Sequence, residues 1–142
     1  YTGDVMFIDY EDMDFNFPGY DIGKLMLQTL YEQVTNNLAY KLKSFDHFPS
    51  DEDLLDFIQV YLSSRYHRSL NKDLEFQSIQ TEQEKEIEQL LEQVKIGAMI
   101  AGYYSALFGM RVGRNPNIHF DFVQFAIDGF KVYEEFKRRI YY

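Results

Sequence analysis

The sequence predicts a mainly α-helical domain with a small β element near its N-terminus, and three stretches carry that prediction. The first is Thr81-Glu82-Gln83-Glu84, a capping box ahead of Ile87, Leu90, Leu91, Val94 and Ala98, which recur at helical spacing. The second is the last segment, from about Ile118 to Ile140, where Phe120, Val123, Ile127, Phe130 and Tyr133 are expected to pack inward. Lys137, Arg138 and Arg139 fall in its last turn, where cations complement the helix dipole. The third is Val5-Met6-Phe7-Ile8, a short apolar run of β-branched and aromatic residues that reads as a buried strand.

Composition bounds the rest. A chain of 142 residues, 46% hydrophobic and 18% aromatic, reads as one domain over 1–142 with a substantial core. The formal charge of -9 argues against nucleic acid as a partner, because phosphate binding needs a basic surface. With no cysteine there is neither a disulfide framework nor a thiolate metal site, which agrees with a cytoplasmic location. No secretory pattern is visible, and the chain starts at Tyr1 without an initiator Met, which reads as a piece of something longer.

In order, Asp21 is expected to cap a helix carrying Leu25, Leu27, Leu30, Tyr31, Val34, Leu38 and Leu42. Lys43 to Pro49 is a break. Ser50-Asp51-Glu52-Asp53 then reads as the cap and acidic first turn of a helix running through Leu54, Leu55, Phe57, Ile58 and Tyr61, not as a metal cluster. Ser63 to Phe76 is polar and irregular, and His67 in it is read as a surface residue. From Ile96 to Met110 no residue is charged. That stretch is shorter than the roughly 20 apolar residues a bilayer requires, so it is expected to be a helix buried all round in the core. Arg111 to Asn117, with Gly113, Asn115 and Pro116, is a turn-rich connection.

The chemistry concentrates at the N-terminal strand. Asp9 closes Val5–Ile8 and Glu11 follows two residues later. Carboxylates at the mouth of a buried strand can hold a hard cation such as Mg²⁺, which prefers oxygen ligands. Read from the residues alone, Asp9 equally suits a strand-end turn. Likewise Tyr104, Phe108 and Phe122 read first as core aromatics, although aromatic faces also hold ammonium groups.

A longer pattern adds to this. Ile8-Asp9-Tyr10-Glu11, then Asn16, then Gly19-Tyr20-Asp21-Ile22-Gly23 resembles the choline/ethanolamine kinase family, which carries Ile-Asp-Phe-Glu-Tyr, an Asn and Phe-Asp-Ile-Gly at this spacing. Phe120-Asp121-Phe122 through Phe125-Ala126 to Phe130 and Tyr133 is similar to the ethanolamine-kinase version of that family's last helix. The resemblance implies the C-terminal part of the large lobe of a protein-kinase-like fold of the choline kinase type. It gives Asp9 and Glu11 the magnesium, and Gln28, Tyr104, Phe108 and Phe122 the amine. It implies ATP and Mg²⁺ as cofactors and an amino alcohol, ethanolamine or choline, as substrate, at the entry to phospholipid synthesis. The family's glycine-rich loop, strand lysine and catalytic loop are absent from this chain and lie N-terminal in the family, so catalytic residues are expected in a missing N-terminal part of the same protein. A homodimer is left open.

Two departures stand against the pattern. Gln28 occupies the place of a Glu that faces the amine, and Ser105 and Phe108 replace a pair of Trp. A non-catalytic helical interaction module, or a degenerate kinase-like lobe, is therefore the alternative reading.

Overall fold

The structure is a computed structural model that describes residues 16–34, 39–67, 76–115 and 120–142. The expected strand at Val5–Ile8, with Asp9 and Glu11, lies outside the described residues. Among those described, the fold is four α-helices and one two-stranded sheet.

Helix α1 spans Pro18–Leu27. It begins earlier than Asp21 because Pro18 sits in its first turn, where a missing amide costs nothing and the fixed φ is already helical. Asp21 is therefore not the cap. It lies in the first turn, three residues after Pro18. The helix then tightens into a 3-10 turn at Gln28–Leu30 and stops. Where helical spacing predicts a continuous helix to Leu42, the chain forms a hairpin instead. Strand β1, Tyr31–Val34, pairs antiparallel with β2, Ala39–Leu42, with Tyr31 opposite Leu42 and Val34 opposite Ala39. The reason lies in composition: Thr29, Tyr31, Val34, Thr35, Asn36 and Asn37 are all weak helix formers, and β-branched and aromatic residues suit a pleated surface.

Helix α2, Asp51–His67, starts where the sequence predicts. Ser50 and Asp53 make a reciprocal cap: the Asp53 amide donates to Ser50 Oγ at 3.2 Å and the Ser50 amide donates to Asp53 Oδ2 at 3.0 Å. The Ser50 hydroxyl, donating to Asp53 Oδ2 at 2.6 Å, and then the Ser50 amide hold the Asp53 carboxyl below its usual range. Leu54, Ile58 and Leu62 form its buried face. The helix carries on to His67, past the break expected at Ser63.

Helix α3, Phe76–Val112, is the axis of the molecule. It begins upstream of the Thr81 capping box, because nothing in Phe76 to Gln80 is a Gly or Pro that would stop it. Helix α4, Phe122–Tyr141, starts at a true cap, with Asp121 Oδ1 accepting the Gln124 amide at 2.9 Å.

The core gathers Leu30, Leu54, Ile58, Val94, Val132 and Phe136. Phe48, from the segment before α2, meets Phe136 edge to face at 4.6 Å. The inner face of α3 is made of small residues, and the neighbouring helices close onto its backbone. A methyl group placed on Gly129 of α4 would stand 2.6 Å from the Ala106 amide nitrogen, and one on Gly97 of α3 would collide with the Gly19 carbonyl of α1.

Two expectations about burial fail. Ile100, Tyr103, Tyr104, Leu107, Phe108 and Met110 of α3 are exposed, so the uncharged stretch is not buried all round. Helices α1, α2 and α4 cover one side of α3 and leave the opposite side open. On α4 it is Ala126, Gly129, Val132 and Phe136 that face inward, whereas Val123, Ile127 and Phe130 are exposed. Both aromatic-rich and small-residue stripes on α4 have helical period, and the close approach of α3 admits only the small one. Among the described residues no helix is long and apolar enough to cross a membrane.

Candidate functional site

The start of α4 assembles aromatic rings from four parts of the chain. Because Phe122, Phe125 and Asp128 follow at three-residue steps, they share one side of α4. The hairpin delivers Tyr31 and Tyr40 to that side. Tyr31 lies 6.3 Å from Phe125 and 6.4 Å from Tyr40, and Tyr40 lies 5.9 Å from Phe120, centroid to centroid. Phe120 is 4.6 Å from Phe122, and Phe122 is 6.1 Å from Phe108 of α3. Phe108 through Phe122, Phe120 and Phe125 to Tyr31 is thus a continuous chain of tilted and edge-on ring contacts, the geometry ring quadrupoles favour.

One buried carboxylate follows on the same helix. Asp128 is 4% exposed, the one buried charged residue among those described. Its Oδ1 accepts two hydrogen bonds, from Gln124 Nε2 at 2.9 Å and Lys131 Nζ at 2.8 Å. Tyr31 stands close by. Its phenol is pushed up to about 12, first by burial and then by the negative charge of Asp128. Its hydroxyl is also the one buried side-chain polar atom among the described residues without a hydrogen-bond partner.

The residues singled out from sequence fall into three groups. Phe108 and Phe122 are brought together in this cluster. Tyr104, one turn before Phe108 on α3, is 56% exposed and lies within electrostatic range of the Tyr20 phenol on α1. Their exposure rules out the core reading for Tyr104 and Phe108. Gln28 is exposed at the end of α1, three residues ahead of Tyr31. Asp9 and Glu11 lie outside the described residues, and among those described no group of three or more His, Cys, Asp or Glu could hold a metal ion.

Tyr31, Tyr40 and Asp128 were not legible as site residues. Tyr31 was hidden by the expectation of a helix through Leu42. A signal for Asp128 did exist: it is the one acid between Phe122 and Tyr133, set among apolar residues. An acid in such a place is buried only if something pairs with it.

Arranged this way, the site offers ring faces, one buried carboxylate and one free hydroxyl. That combination suits a small organic cation: each cation–π contact contributes about 0.5–2 kcal/mol, and the carboxylate supplies the opposite charge.

The sequence model of the choline/ethanolamine kinase family matches residues 1–134. The chain is 30% identical over 139 residues to ethanolamine kinase 1 of Homo sapiens, covering 97% of this chain and 27% of that protein. It is 28% identical over 138 residues to the choline/ethanolamine kinase of Homo sapiens, covering 96% and 33%, and 23% identical over 137 residues to choline kinase alpha of Mus musculus, covering 96% and 29%. The chain spans about a third or less of the length of these relatives.

Proposed function

Because the chain belongs to the choline/ethanolamine kinase family, we propose that it forms the amine-binding part of the large lobe of a kinase that phosphorylates ethanolamine or choline. The phosphate donor is ATP and the products enter phospholipid synthesis, in the cytoplasm. The observation that carries this reading is the family match over residues 1–134, and the aromatic cluster at the start of α4 supports it.

In this reading the rings of Phe108 and Phe122, with Tyr104 at the rim and Gln28 nearby in sequence, hold the amine. Asp9 and Glu11 supply carboxylate oxygens, the donor type Mg²⁺ prefers. When bound, that ion neutralises charge on the transferring phosphoryl group. This chain's own contribution is to hold the ammonium end and so to fix where the hydroxyl lies. Positioning of this kind accounts for a large share of phosphoryl-transfer catalysis.

The test is turnover by the complete protein, with ethanolamine and choline as acceptors. Asp9→Asn is expected to lower kcat by several orders of magnitude, at about 1.4 kcal/mol per tenfold, with the melting temperature nearly unchanged. Near-normal kcat at saturating Mg²⁺ would sink the metal assignment. The chain of 142 residues by itself is expected not to transfer phosphate from ATP.

A second reading, a non-catalytic helical interaction module or degenerate lobe, is favoured by the neutral Gln28 and by the exposed apolar face of α3. A folded complete protein with no turnover on either amine would select it.

A further inference from the structure

We infer that the N-terminal apolar run Val5–Ile8 docks along Ile100 and Tyr104, on the open side of α3 beside the start of α1. The inference goes beyond the kinase reading and does not depend on it.

Two apolar surfaces of this chain call for cover, and a short tether joins them. The first is on α3. Ile100 and Tyr104 are exposed, and both belong to the stretch from Ile96 to Met110 in which no residue is charged. Four residues apart, they lie one above the other on the helix. A contiguous exposed apolar patch of this kind marks a place where something binds. The second is Val5-Met6-Phe7-Ile8, with no charged residue and a composition that suits a buried strand. A strand with an apolar face is stable only against another apolar element.

The way the chain enters α1 brings the two within reach. The Phe17 amide donates to Asn16 Oδ1 at 2.9 Å, and the exposed Phe17 ring lies 6.1 Å from that of Tyr20. Tyr20 stands directly on α3: a methyl group on Gly97 would be 2.6 Å from Tyr20 Cα. Ile100 and Tyr104 follow about 5 and 11 Å further along the same helix. Phe17 and Tyr20 thus open an aromatic approach from the N-terminal segment to Ile100 and Tyr104. Asn16 comes eight residues after Ile8, a span that reaches up to about 26 Å when extended. A four-residue strand is about 13 Å long. Laid along α3 from Gly97, it ends at about Tyr104, so Leu107 and Met110 beyond it stay open. Tyr103, one position earlier, turns instead to α4, where its ring meets Phe130 and Tyr133.

The tether also selects the occupant. A segment held by a short linker is present at an effective concentration of about millimolar. A second copy of the chain reaches that level only in a protein solution of similar strength. Closing the short loop from Ile8 to Asn16 costs less entropy than reaching a more distant face.

The test uses the absence of cysteine from the chain. Met6→Cys or Phe7→Cys is combined with Tyr104→Cys, and each folded variant is oxidised and run on a non-reducing gel. A disulfide forms only where the two Cβ atoms come within about 4.5 Å. Successive side chains of a strand point to opposite faces, so one of the two pairs is expected to cross-link within the chain several-fold more than the other. The same N-terminal cysteines combined with Val60→Cys, exposed on α2, are expected not to cross-link. No cross-link to position 104 from either residue, equal cross-linking to positions 104 and 60, or cross-links only between chains would each overturn the inference; the last would place a second copy on this face. Thermal melting gives an independent readout. Phe7→Ser, Met6→Ser and Ile100→Ser are measured singly, and each N-terminal variant is measured together with Ile100→Ser. The inward-facing N-terminal residue and Ile100 are expected to be coupled, the double variant losing less than the two single losses together. Strictly additive losses for both combinations would overturn the inference.

Discussion

Along the inner face of α3, small residues let α1 and α4 approach to backbone contact; at the start of α4, large rings meet one another tilted and edge-on. The first region holds Gly97, Ala98, Ala101, Gly102 and Ala106, with no polar side chain to satisfy. The second holds Phe108, Phe120, Phe122, Phe125 and Tyr31 in successive ring contacts, with the Tyr31 hydroxyl left without a partner. One region is complete in itself and sets the geometry of the helices. The other is positioned by that geometry and keeps one buried hydroxyl, that of Tyr31, without a partner.

The comparison breaks first, and most severely, at the seam. Gly97→Leu is expected to abolish the folded state, because even a methyl group there would collide with the Gly19 carbonyl and stand 2.6 Å from Tyr20 Cα. Gly97→Ala should cost about 1–3 kcal/mol, the usual range for overpacking. Chemical denaturation of both variants checks this; an unchanged midpoint would mean that α1 and α3 are not in backbone contact.

Alkaline pH probes the other region. Burial and Asp128 raise the Tyr31 phenol, so the folded state holds this proton more tightly than the unfolded chain. The contribution is whole below the ordinary value of 10.0 and is lost as pH rises toward about 12. A rise of that size corresponds to about 3 kcal/mol. The chain has 12 Tyr, so the measurement is a difference: stability against pH for the wild type and for Tyr31→Phe. The wild type should fall more steeply above pH 10, and parallel curves would remove Tyr31 from the buried set.

Near neutral pH the same substitution should have a smaller effect of the same sign. Removing a buried hydroxyl that lacks a partner is expected to be neutral or to stabilise by up to about 1 kcal/mol. A clear loss of stability from Tyr31→Phe would mean that the hydroxyl is satisfied and that this end of the cluster is ordinary core.

The smallest effect is expected outside both regions. Leu107 is exposed on the outer side of α3, so Leu107→Gln should change stability by no more than about 0.5 kcal/mol. A larger loss would show that this face is covered.

Much of the fold was legible because its signals are local. The Ser50–Asp53 cap, the periodic apolar stripe of α2 and the spaced Ile87, Leu90, Leu91, Val94 and Ala98 of α3 each act within a few residues. The candidate site was legible in part. Phe108 and Phe122 stood out as aromatics in a family pattern, and the structure brings them together. Asp9 and Glu11 fall among residues that are not described. Tyr31 and Asp128 stayed hidden, since their partnership depends on a hairpin that helical spacing argued against.

The sequence by itself determined the helical class, the Ser50–Asp53 cap and the family, because propensity, capping chemistry and a spaced motif are properties of neighbouring residues. The tertiary structure decided which stripe of each helix is buried. On α3 and α4 a small-residue stripe and an aromatic stripe share the same period, and only the closeness of the backbones at Ala106 and Gly129 selects between them. It also decided that the ring of Tyr31 at the start of β1 meets that of Phe125 on α4, since periodicity fixes the face on which a residue lies but not what is brought against it.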